Sequence, residues 1–299
     1  MIEYSQYLLV VAGVLVVLSL LMSLAIVLVP QTATRRVAQP AMAGAGAGGG
    51  PLTLDVARPP APRPQGLSLY ATAFSWLALA FLTASLVLRA IVTGHGPFAN
   101  QHEFAVSFAW GILAAYLYFE WRHQARALAP FALAAVGVML LYASTTDSDV
   151  RPLVPALRNS WLLTLHVFTA VLSYGAAAIG GAAAVLYLLH PRLHWRGLPK
   201  REFLDEIGYR SIVISYPFMT VMILLGAIWA EIAWGTYWSW DPKETSALVT
   251  WLIYGAYLHA RVTREWRGEK AAWLLIAGFA AIVLTFVGNT FFGGLHSYA

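Results

Sequence analysis

The chain has 299 residues, of which 59% are hydrophobic and only 11% charged, against about 25% charged in an average soluble domain. That balance excludes an ordinary water-soluble globule and defines a membrane protein. The formal charge is +5 and cysteine is absent, so disulfide scaffolds, thiolate metal sites, iron–sulfur clusters and a cysteine nucleophile are excluded within this chain.

Taken in chain order, cutting the sequence at its charges leaves eight long apolar runs, 4 to 34, 64 to 88, 104 to 119, 127 to 146, 159 to 191, 211 to 230, 245 to 260 and 271 to 299. Each supplies the roughly 20 residues of a membrane-spanning helix, the shorter ones with flanking charges snorkelling to the interface. The predicted fold is therefore an all-α polytopic membrane helix bundle of about eight transmembrane helices. Glu3 is the only charge before the first run, which lacks a basic leader and reads as a retained first helix over 1–30 rather than a secretory signal. Residues 31–66 combine Gly/Ala repeats with Pro59, Pro60, Pro62 and Pro64, a composition that favours extended, solvated chain, and are read as a flexible cytoplasmic linker. Residues 67–299 form the main membrane domain.

Charge sets the orientation. Arg35, Arg36, Arg58, Arg63, Arg122, Arg126, Arg192, Arg196, Lys200, Arg201, Arg210, Arg261, Arg264, Arg267 and Lys270 fall in connections on one side, 15 of the 19 basic residues, which leaves Arg89, Arg151, Arg158 and Lys243 for the other. The positive-inside rule then places both termini outside, together with the connections 94–103, 146–159 and 234–244. A Gly-rich phosphate loop between strand and helix and a recognisable Ser/His/Asp arrangement are both missing. Nucleic acid is not an expected partner.

Five of the 12 tryptophans, Trp229, Trp234, Trp238, Trp240 and Trp251, cluster around one outer connection, and four aromatics occupy the seven positions 234–240. Rings at this density form either an interfacial belt or a platform for a flat apolar ligand, each ring burying about 150–250 Å². The residues alone leave both readings open. Asp241, Pro242 and Glu244 fit N-cap, N1 and N3 of the seventh helix, an acidic capping box in which the carboxylate stabilises the helix start by about 1 kcal/mol. Asp241 is expected to fix where the Trp loop enters that helix.

The topology also sorts the eight histidines. His123, His190 and His194 lie among basic inner-side residues, and His95 and His102 lie in the first outer loop. His166, near the outer end of the fifth helix, and His296, after the eighth, share the Trp loop's side of the membrane. Two neutral imidazoles beside an aromatic floor can ligate haem iron axially. The alternatives are an interfacial polar group for His166 and a frayed terminus for His296. His259 follows Asp241 by 18 residues, roughly 27 Å along a helix, and so sits near the inner edge of the seventh span, where an ionisable residue is a candidate for function or is simply hydrated.

The run Trp229-Ala230-Glu231, Trp234-Gly235-Thr236-Tyr237-Trp238-Ser239-Trp240-Asp241-Pro242-Lys243-Glu244, continuing to Trp251 and Tyr257-Leu258-His259-Ala260-Arg261, resembles the tryptophan-rich WWD signature of haem-handling membrane proteins. It is most similar to the CcsA/ResC type of the system II cytochrome c biogenesis machinery, strongly over 150–299 and plausibly from 67. The resemblance implies that His166 and His296 are axial ligands to haem iron on the outer face, that His259 holds haem on its way from the cytoplasmic side, and that Trp234, Trp238, Trp240 and Asp241 contact the macrocycle. It further implies a bacterial plasma membrane location, or a thylakoid one, and a complex with a CcsB/ResB-type partner. That complex, a cytochrome c synthase or haem lyase, carries haem b across the membrane and presents it for attachment to apocytochrome c at Cys-x-x-Cys-His motifs. Catalytic side chains are not implied in this chain, because the covalent chemistry belongs to haem and substrate. Ser246 stands where the family often has another Trp and is not expected to touch haem. Rival classes are a b-type haem electron-transfer membrane subunit, whose histidine ligands would lie deep in the bilayer, and a transporter, which would need a polar midplane site.

Overall fold

The computed structural model describes residues 1–28, 66–150, 152–158, 160–193, 198–291 and 293–296. Except for Gly66, the expected linker over 31–66 lies outside these residues, as does His194. Among the described residues the secondary structure is entirely helical: α1 (Ile2–Leu28), α2 (Leu67–Thr93), α3 (Gln101–His123), α4 (Ala129–Thr145), α5 (Ser160–Leu189), α6 (Arg201–Trp234), α7 (Pro242–Thr263) and α8 (Glu269–Phe291), with short 3₁₀ turns before α4 and around α5. Each apolar run of the sequence yields one helix. Seven are long and apolar enough to cross a membrane. The other, α7, has 22 residues, enough for about 33 Å, but its first turns carry Lys243, Glu244, Thr245 and Ser246.

Helix pairs are held by small-residue seams, as expected where lipid tails remove the hydrophobic drive between apolar helices. On α1, Ser5, Ala12 and Ser19 recur every seven residues and face Ser85, Ala78 and Ala71 of α2, all buried. Ser5 Oγ donates to Ser85 O at 3.0 Å and Ser19 Oγ to Ala71 O at 2.8 Å, so the pair is antiparallel. Between α5 and α6, Ser173 Oγ donates to Ser215 O at 3.0 Å. Where α5 crosses α3, a Cβ on Gly175 would lie 2.6 Å from the Gly111 carbonyl carbon, so this close backbone approach requires glycine. The central helix is α5, in contact with α3, α6 and α8.

The helices overrun the charge boundaries because some charges are packed inside. Arg89, counted among outer-side charges by sequence, is a buried residue of α2, with Nε 2.6 Å from Glu103 Oε1 and Nη2 donating to Ser148 O. His102 is likewise not a loop residue: it lies in the first turn of α3, buried, with Nδ1 donating to Ala143 O at 2.9 Å. At the other end, α6 starts at Arg201 rather than near 211, and its polar turns hold the α7–α8 connection. There Arg261 Nη2 lies 2.6 Å from Asp205 Oδ2, and Gly268 N donates to Asp205 Oδ1. These pairs separate two ends of the bundle, one joining the N-terminus of α1 to the C-terminus of α2, the other rich in Arg and Lys.

Candidate functional site

At the less basic end, α5, α6, α7 and the segment after α8 bring distant residues together. Asp241 caps α7: its Oδ1 accepts from Lys243 N at 2.9 Å, and Glu244 Oε2 accepts from Asp241 N at 3.2 Å, completing the expected capping box. The same carboxylate also accepts from Leu295 N at 2.7 Å and from His296 Nδ1 at 2.9 Å. Gly294 is needed for this approach, since a Cβ there would collide with Asp241 Oδ2. Burial opposes ionisation of Asp241, yet the bonds it accepts from His296 and from the Lys243 and Leu295 amides outweigh it and lower its pKa to about 2. Burial also pushes the His296 imidazole below its ordinary value, against the pull of Asp241. The pair is thus a carboxylate holding a neutral imidazole, whose Nδ1–H is committed and whose lone pair is on Nε2.

His166 is fixed in the same way by a different acceptor. Its Nδ1 donates to Met222 O on α6 at 2.8 Å, again placing the lone pair on Nε2. The ring fits because Gly226 faces it: a Cβ there would stand 2.6 Å from His166 Cε1. Trp229 links the two histidines. It stacks on His166 with centroids 6.3 Å apart and planes 11° apart, and it meets His296 at 5.8 Å. Trp229 itself is buried, with Nε1 donating to Ala156 O at 3.2 Å. Trp234 packs edge-on against both Trp229, at 4.6 Å, and His296, at 4.8 Å.

Both histidines line one cavity of about 1240 Å³ of empty space, its open mouth included, whose walls are mainly apolar and include Phe104, Phe108, Tyr174, Ile223, Trp238 and Phe286. Among the described residues no group of three or more His, Cys, Asp or Glu is placed to hold a bare metal ion. Two imidazoles on an aromatic-lined cavity instead suit a metal whose remaining ligands come with a flat apolar macrocycle, and haem meets that description.

The structure unites His166, His296, Trp234, Trp238 and Asp241. Trp240 stands apart: it is 69% exposed at φ 60°, meets Trp238 edge-on at 5.7 Å and does not line the cavity. His259 is exposed near the basic end of α7, outside the cavity. Trp229, Gly226, Met222 and Lys243 belong to the site without having been assigned to it by sequence reasoning. Trp229 was visible as the first ring of the tryptophan cluster, and Lys243 lies within the signature itself. Gly226 and Met222 carry no local signal, because their role depends on a helix crossing.

A polytopic helical membrane protein with a two-histidine, tryptophan-walled cavity at its less basic end is a haem-handling type of architecture. The sequence model of the cytochrome c assembly protein family matches residues 98–296. Curated relatives named cytochrome c biogenesis protein CcsA include those of Guillardia theta, 36% identical over 250 residues and covering 74% of this chain and 83% of the relative. That of Prochlorococcus marinus is 37% identical over 256 residues, covering 73% and 81%, and that of Gloeobacter violaceus 34% identical over 289 residues, covering 76% and 85%. The chain therefore belongs to the cytochrome c assembly protein family, as a CcsA-type cytochrome c biogenesis protein. Among solved structures, the cytochrome c haem lyase CcmF shares the fold with a TM-score of 0.65 at 17% identity, over 95% of this chain and 46% of that one.

Proposed function

We propose that this protein, with a CcsB/ResB-type membrane partner, transfers haem b across the membrane and presents it at the outer cavity for covalent attachment to apocytochrome c. The observation that carries the reading is the convergence of His166 and His296 around Trp229 in one cavity, each ring held through Nδ1. His166 and His296 would supply Nε2 to the haem iron, and Asp241 and Met222 O would keep both rings in that tautomer and orientation. Trp238 and the apolar wall would exclude water and fix the macrocycle. The haem vinyl groups supply the reactive carbons: each Cys thiol of a Cys-x-x-Cys-His motif adds across one vinyl group, forming a C–S bond while the thiol hydrogen ends on the neighbouring carbon. The substrate's own histidine would replace one of this chain's two imidazoles, so the complex as a whole acts as the synthase. His259, near the basic end of α7, would hold haem before it reaches the outer cavity. The setting is a bacterial plasma membrane, or a thylakoid membrane.

The test is the absorption spectrum of the protein purified with its partner. The His166→Ala and His296→Ala variants should each lose most of the haem signal and lower cytochrome c yield, with partial recovery in added imidazole. Spectra and yield like wild type in the double variant would remove the ligand assignment. A b-type electron-transfer subunit would instead retain its haem without any effect on cytochrome c maturation.

A further inference from the structure

Lys243 is the second residue of α7 and lines the outer cavity. Its ammonium lies 5.1 Å from the Phe104 ring centroid, and among the described residues its Nζ makes no ion pair or hydrogen bond. The acids beside it are otherwise engaged. Asp241 accepts from His296, Leu295 N and Lys243 N. Glu244 Oε2, also on the cavity wall, accepts from Ser239 N at 2.9 Å, Ser239 Oγ at 3.1 Å and Asp241 N at 3.2 Å. A cation in the first turn of a helix also opposes the macrodipole, whose N-terminal end favours negative charge. An ammonium withdrawn into an apolar wall without a direct hydrogen-bonded partner is costly, and the nearby Asp241 charge and the ring face offset only part of that cost.

We propose that Lys243 is the carboxylate anchor of the cavity, binding an acidic side chain of the flat ligand while His166 and His296 take its metal. This rests on the haem reading above, and haem b meets it by carrying two carboxylates on one edge of an otherwise apolar ring. A charge-assisted bond would then fix the rotation of the macrocycle about its iron and so hold the vinyl-bearing side, away from the carboxylates, toward the substrate.

The experiment titrates the full chain, purified with its partner, with haem and with haem dimethyl ester, in wild type, Lys243→Met and Lys243→Arg. Wild type should bind haem about tenfold more tightly than the ester. Lys243→Met should bind haem about tenfold more weakly than wild type while binding the ester unchanged, which also shows that the variant folds. Lys243→Arg should retain most of the preference for the acid. Equal losses for acid and ester in Lys243→Met, or unchanged haem affinity, would overturn the anchor and leave the haem site standing. Failure of wild type to bind either porphyrin would overturn both readings.

Discussion

Asp241 shows how one side chain joins a local and a distant requirement. Its capping role is legible from the order Asp-Pro-Lys-Glu, because a helix start leaves amide groups that a carboxylate satisfies within three residues. Its bond to His296 spans 55 positions and depends on where α8 ends relative to α7, which no local pattern encodes. His166 makes the same point through Gly226. Substituting Gly226 by Ala puts a methyl group 2.6 Å from His166 Cε1, too close for the ring to stay where its Nδ1 meets Met222 O. Losing such an outer support typically costs about 10–100-fold in metal affinity. Gly226→Ala should therefore weaken haem retention by that order while far-ultraviolet circular dichroism stays unchanged, and a wild-type haem titration would show that this ring needs no such pocket.

Helix number and order were legible because each span needs a long apolar run, and charges interrupt those runs. Helix ends were not, because a charge inside the bundle looks identical in sequence to one in a loop. Arg89 and Glu103 extend α2 and α3 beyond the sequence boundaries, and both side chains are almost wholly enclosed. Glu103 also accepts from Ala99 N through Oε2 at 2.7 Å, tying the pair to the turn that lines one side of the cavity. Glu103→Ala would leave Arg89 charged and uncompensated in the interior, where breaking a buried pair costs about 3–5 kcal/mol. The thermal midpoint should fall clearly for this variant, whereas Arg89→Met with Glu103→Leu should recover most of it, since an apolar pair of similar volume removes both desolvation costs. A double variant as unstable as the single would assign the pair a role beyond charge compensation.

At the scale of the whole molecule, the bundle has two chemically different ends. The less basic end gathers the connections around 94–100, 146–150, 152–158 and 235–241 with the segment 293–296, tied by Arg89 to Ser148, Trp229 to Ala156 and His296 to Asp241. The basic end holds Arg126, Arg201 and Arg261 with their acidic partners. The positive-inside rule predicts that the less basic end faces outward, and the absence of cysteine from the sequence makes this directly measurable. A single Cys at the exposed Tyr237 should react with a membrane-impermeant maleimide added to intact spheroplasts, while one at Glu265 should react only after permeabilisation. The opposite pattern would invert the membrane orientation and put the cavity on the haem-supply side.

The spacing of His259 from the outer cavity then decides between a relay and a single site. Asp241 and His259 are 18 residues apart on one helix, roughly 27 Å, so one haem cannot touch both positions. If haem pauses at His259 before moving outward, His259→Ala removes a step in supply but leaves the outer ligands intact. Protein purified from cells should then carry several-fold less haem at the outer site, as read from the bis-imidazole spectrum that the proposed ligation predicts and that His166→Ala should abolish. The same purified variant, given haem in detergent, should fill the outer site with wild-type affinity, because His166, His296 and their supports are untouched. Normal occupancy straight from cells would remove His259 from the route, since it is exposed on the helix surface and a polar ring near the lipid boundary has hydration to explain it. Weak binding by the purified variant would instead mean that the two ends of α7 are coupled through the helix, so that the inner histidine acts on the outer site without carrying haem.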